Sequence, residues 1–77
     1  MWSKELLERT RNEAYEGAMM KRGGFSDDSF GMIQKRDSEG ITIVAVEMKS
    51  YMPVPTSRVI AQYKDVEEMI AAGWVID

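Results

Sequence analysis

Seventy-seven residues with a net charge of −3, no histidine and no cysteine suffice for one small domain and exclude several chemistries at once. Disulfides cannot form, a structural zinc site lacks its usual ligands, and Ser-His or Cys-His nucleophilic pairs cannot be assembled. The chain is 44% apolar and 30% charged, the balance of a folded globular domain and too apolar for intrinsic disorder.

So small a core seldom supplies more than about 3–5 kcal/mol unless a disulfide, a metal or a second chain reinforces it. Composition removes the first two, which leaves good local consistency or a homodimer. The longest apolar run, Ile41 to Val46, is too short to span a bilayer, and the charged N-terminus does not read as a signal peptide. A cytoplasmic protein without membrane attachment is expected.

In chain order, Ser3 reads as the N-cap of a first helix, with Trp2 and Leu7 at the two positions of a hydrophobic staple. Glu5–Arg9 and Arg9–Glu13 are spaced to pair along the helix. Gly23-Gly24 is the expected stop, so the helix is placed at about residues 3–22, with fraying after Glu16 because of Gly17. Its apolar stripe (Leu7, Ala14, Ala18) is narrow and interrupted by Arg11, with Lys4 and Arg22 along its edge. A helix that packs on a core normally shows a cleaner face, so this one is read as a semi-independent arm.

Phe25 to Gly31 reads as a polar loop. Phe30–Arg36 and Ile41–Met48 then read as two strands joined by Asp37-Ser38-Glu39-Gly40, where Asp first and Gly last favour a type I turn with a following bulge. The second strand is apolar on both faces, with Ile41, Ile43 and Ala45 on one side and Val44, Val46 and Met48 on the other. Such a strand calls for cover on both sides. Tyr51 to Pro55 holds two prolines and reads as a loop or sheet edge. Arg58–Tyr63 is a third strand. Asp65 caps a short helix with Glu68 as its capping-box partner, Gly73 ends it, and Trp74-Val75-Ile76 is a final short strand.

The expected architecture is therefore a single α+β domain, αβββαβ. It has an N-terminal helix, a three-stranded antiparallel sheet, a short second helix on one face and a last strand of uncertain attachment.

Asp27-Asp28 lacks the D-x-[DN]-x-[DN]-G spacing of a calcium loop, and Gly23-Gly24 lacks the pattern of a phosphate-binding loop. No cofactor, metal or catalytic residue is assigned, and an enzyme is not expected. The residues left for a partner are Lys4, Arg11, Tyr15 and Arg22 on one side of the first helix. Met19-Met20, and Met48 with Met52, join them as adaptable apolar contacts, and Tyr51-Met52 begins a stiff segment of the kind that docks on grooves. Long basic side chains also commonly lay their stems over a core and keep their charges in water.

The charge is uneven. Residues 65–77 carry four acidic and no basic groups, whereas residues 41–64 carry three basic and one acidic. The acidic end disfavours binding to a phosphate backbone. The expected role is a small regulatory protein that binds another protein, of the inhibitor or accessory type that phage and other mobile elements encode. The alternative is a nucleic-acid-binding module using the Lys4/Arg11/Arg22 side of the first helix.

Overall fold

The computed structural model describes residues 2–23 and 29–77. Gly24, Phe25 and the Asp27-Asp28 pair lie outside the described residues. The elements are α1 (Lys4–Glu13), β1 (Met19–Arg22), β2 (Phe30–Asp37), β3 (Gly40–Lys49), β4 (Met52–Tyr63), α2 (Val66–Ala71) and β5 (Trp74–Ile76). The strands form one antiparallel sheet in the order β4-β3-β2-β1-β5. The class is α+β, but the sheet has five strands rather than three.

The two extra strands arise where the first helix stops. Ser3 caps α1 as expected, its Oγ accepting from Leu6 N at 3.2 Å. The helix ends at Glu13, nine residues short of the expected boundary, with Ala14 as its C-cap, and Gly17 takes φ +89°. A left-handed glycine costs little and turns the chain out of the helix. Gly17 N then donates to Ile33 O at 2.9 Å, and Met19–Arg22 run between β2 and β5. The stop therefore lies at Gly17 and not at Gly23-Gly24. Tertiary burial of Met20 outweighs the modest helix propensity of Met-Met-Lys-Arg.

Nor is α1 an arm. Thr10 is fully buried in mid-helix. Its hydroxyl donates to Leu6 O at 2.7 Å and accepts from Ile76 N at 3.1 Å. Trp2 Nε1 donates to Gly73 O at 2.8 Å. Both bonds satisfy backbone groups of the β5 region, so α1 seals that side of the sheet. Thr10→Val, which keeps the shape and removes both bonds, is expected to cost about 1–3 kcal/mol because it orphans a buried amide. A urea midpoint unchanged from wild type would contradict this role.

The turn after β2 has Asp37 paired with Gly40, and Asp37 Oδ1 accepts from Glu39 N at 2.8 Å. Gly40 has φ +144°. At α2, Asp65 Oδ1 accepts from Glu68 N at 2.9 Å, while Glu68 Oε1 reaches back to Lys64 N at 3.2 Å. The capping box thus closes one residue earlier than its usual form.

α2 carries the chain from β4 at one edge to β5 at the other. This short connection works because the two edge strands come within reach of each other across one face. Trp74 Nε1 donates to Tyr63 Oη at 2.9 Å. On that face Met20, Ile33, Ile41, Ile43, Trp74 and Ile76 form the core, together with Ala14 before β1 and Met69 of α2. Leu6, Val66 and Ile70 pack against it, so both helices send their apolar residues into the same cluster.

Candidate interaction surface

Of the basic residues ascribed to the first helix, Arg11 is engaged by carboxylates and Arg22 lies in β1. Arg11 Nε donates to Glu67 Oε2 at 2.7 Å and its Nη1 to Glu8 Oε1 at 2.7 Å. It therefore ties α1 to α2 instead of standing free. Lys4 is exposed at the start of the helix. Tyr15 lies beyond the helix end with the Arg36 guanidinium 4.1 Å above its ring, and Arg36 Nη1 donates to Ala14 O at 2.6 Å. Arg22 stands in β1 with its guanidinium 5.1 Å from the Trp74 ring. Tyr15 stands beyond the helix beside Arg36, whereas Arg22 lines a groove together with Leu7 of α1.

Met19 and Met20 alternate as a strand requires. Met20 is fully buried in the core and presents nothing to a partner, whereas Met19 is half-buried. Tyr51 and Met52 are placed otherwise. They lie at the tip of the long β3–β4 hairpin, 98% and 67% exposed, beside Met48 at 68%.

That tip is unusual in its backbone. Lys49 pairs with Met52, so Ser50 and Tyr51 form a two-residue turn, and both have positive φ, 50° and 67°. Paired positive φ values belong to the primed hairpin turns, which select Asn-Gly or Gly-Gly. Ser-Tyr is a poor fit. A left-handed non-glycine residue costs roughly 1–2 kcal/mol, and a fully exposed Tyr51 recovers none of it through packing. Bulky residues held in such conformations concentrate at functional sites.

The sheet edge beside the hairpin tip is protected. The closing pair Lys49–Met52 of a two-residue hairpin is the hydrogen-bonded type, so Met48–Pro53 and Val46–Pro55 are not. The nitrogens of Pro53 and Pro55 therefore face the open edge, where proline has no N–H to offer an incoming strand. This stretch was expected as a loop or an edge, and it is the edge. At the other side, Thr10 takes the Ile76 amide. A partner at the hairpin tip meets side chains rather than a free ladder.

The charged groups are organised as surface pairs. A polar cleft of about 340 Å³ is lined by Lys35, Asp37, Glu39, Gln62, Tyr63 and Lys64 among others. Lys35 Nζ lies 3.3 Å from Asp37 Oδ2 and 3.5 Å from Glu39 Oε2. The Glu39 amide, then Lys35, hold the Asp37 carboxyl below its ordinary value, and hydrogen bonding from Arg11 does the same for Glu67. A carboxylate depressed in the folded state binds fewer protons than when unfolded. Its contribution is present above the ordinary carboxylate range and is lost as pH falls through the folded value. Melting temperature should therefore decline on acidification from about pH 5 through pH 4 and below. Glu67→Gln should flatten part of that slope, and an identical slope in the variant would contradict the assignment.

A second, more apolar groove of about 760 Å³ is lined by Trp2, Leu7, Arg22, Gly23, Ile70 and Gly73 among others. The staple residues Trp2 and Leu7 thus share a groove wall. Among the described residues, no helix is long and apolar enough to cross a membrane. Comparisons with protein-family models, with curated proteins and with solved structures find no match.

Sequence reasoning reached Tyr51, Met52 and Met48, and the structure brings the three together at one exposed tip. The positive φ of Ser50 and Tyr51 had no sequence signal.

Proposed function

We propose that this chain is a non-enzymatic regulatory module that binds another protein through the tip of the β3–β4 hairpin, with Tyr51 and Met52 as the main contacts. The observation that carries this reading is a nearly fully exposed tyrosine in a left-handed turn. A sequence selected only for folding has no reason to keep it, because Asn-Gly makes the same turn without the strain. Tyrosine and methionine are also effective contact residues, offering large apolar area with limited or adaptable rotamers.

The non-enzymatic part rests on the absence of His and Cys and on the direction of the carboxyl shifts. A general acid needs a raised value, and Asp37 and Glu67 move the other way. Against the nucleic-acid alternative stand the net charge of −3 and the pairing of Arg11 with Glu8 and Glu67.

The test compares wild-type chain with Ser50→Asn/Tyr51→Gly as bait under identical conditions. The variant is expected to be more stable by about 1–2 kcal/mol and to lose the captured protein. A partner held equally by both baits would refute the tip as the contact. Salt-dependent retention on heparin would favour the nucleic-acid reading instead.

A further inference from the structure

The chain has no cysteine, so a peroxide that reaches it finds methionine thioethers as its softest nucleophiles. There are seven methionines, and all but Met1 lie among the described residues. The fold grades them sharply. Met20 and Met69 are fully buried in the core, Met19 and Met32 are half-buried, and Met48 and Met52 are exposed. The two exposed methionines stand on either side of Ser50 and Tyr51, in the pairs Met48–Pro53 and Lys49–Met52 that close the hairpin. The thioethers most open to oxidation therefore flank Tyr51.

We infer that Met48 and Met52 are a reversible oxidation site, and that conversion of their thioethers to sulfoxides releases the partner bound at the tip. The release rests on the reading of the tip as the contact. In the oxidation, the sulfur lone pair attacks one oxygen of a peroxide, so that an S–O bond forms and the O–O bond breaks. The leaving hydroxide takes the proton from the new S–OH group, giving sulfoxide and water. Sulfur loses two electrons and the peroxide gains them. A sulfoxide reductase reverses the step, with a thiol pair supplying two electrons and two protons and the oxygen leaving as water.

Position decides the consequence. A sulfoxide puts a polar group where a flexible apolar one stood. In the free chain Met48 and Met52 lie in water, so the added oxygen is solvated and the fold loses little. Against an apolar partner surface the same oxygen is stripped of water, and burying a polar group without a hydrogen bond is costly. Neighbouring charge does not offset this, because Glu47 and Lys49 pair with each other at 4.0 Å. Oxidation at the tip thus weakens the bound state more than the folded state. At Met20 or Met69 the oxygen would sit in the core and act on the fold itself.

Graded hydrogen peroxide on the purified chain, followed by peptide mass spectrometry, tests the site. Met48 and Met52 should each gain one oxygen at least about ten-fold faster than Met20 and Met69, whose oxidation needs the domain to open. At a dose that spares the buried pair, far-UV circular dichroism should remain that of the untreated chain. Bait treated to that dose, freed of peroxide and exposed to lysate should hold at least about ten-fold less of the protein that untreated bait captures. Reductase treatment should restore it. Equal rates at all four methionines overturn the site. A partner held equally by treated and untreated bait, yet lost by Ser50→Asn/Tyr51→Gly, overturns the release and leaves the tip as the contact. Capture that is the same for untreated wild type and that variant overturns the contact reading itself, and the release with it.

Discussion

Trp74→Ala is expected to leave the chain largely unfolded at room temperature. The indole is fully buried and central to the cluster joining both helices to the sheet. Truncating a buried Trp costs about 3–5 kcal/mol through lost transfer energy and the cavity left behind. The Nε1 bond to Tyr63 Oη and the Arg22 contact disappear with it. Since a domain of this size has about 3–5 kcal/mol in total without reinforcement, little stability would remain. Trp74→Phe keeps most of the ring and loses the donor, so it should fold with a lowered urea midpoint. A near-wild-type midpoint for Trp74→Ala would mean that the core is held elsewhere.

The second large effect separates two adjacent methionines. Met20→Ala should cost about 2–5 kcal/mol as a buried large-to-small change. Met19→Ala should cost much less, because Met19 is only half-buried on the opposite face. A helix continuing to residue 22, as the sequence suggests, would set the two side chains about 100° apart on one helix. It would give no reason for opposite behaviour. Equal effects in paired denaturation curves would contradict β1.

The contrast shows why some of the fold was legible and some was not. The caps at Ser3 and Asp65 and the turn at Asp37–Gly40 are local, so the residues that make them are neighbours in the chain. β1 is defined by partners far away, at Phe30–Met32 and at Trp74–Ile76, and four residues of Met-Met-Lys-Arg carry no alternation that reveals them. The narrow apolar stripe ascribed to the first helix came from extending a helical wheel past Glu13. Within residues 4–13, Leu6 and Thr10 meet the sheet and Arg11 meets α2, so the helix fits its domain without a second chain. β4 was half legible. Pro53 and Pro55 pointed to an edge, but their alternate spacing, which allows the strand to continue through them, becomes apparent only once Ser50 and Tyr51 are known to form the turn.

The candidate site divides along the same line. Tyr51 and Met52 were named because a stiff, apolar, proline-bounded segment is a natural contact, and they do stand at an exposed tip. The helical residues were tied together by a periodicity that stops at Glu13, so Tyr15, Met19, Met20 and Arg22 lie outside α1. What marks the tip most sharply, positive φ at Ser50 and Tyr51, was hidden because neither residue type announces it.

The binding claim is tested most directly by a photo-reactive amino acid placed at position 51 and, in a separate chain, at exposed Glu16. Irradiation in a lysate should give one discrete heterologous adduct from position 51 and none in common from position 16. Adducts that are identical from both positions, or an adduct from position 51 that is only a second copy of the chain, would contradict a partner-binding tip.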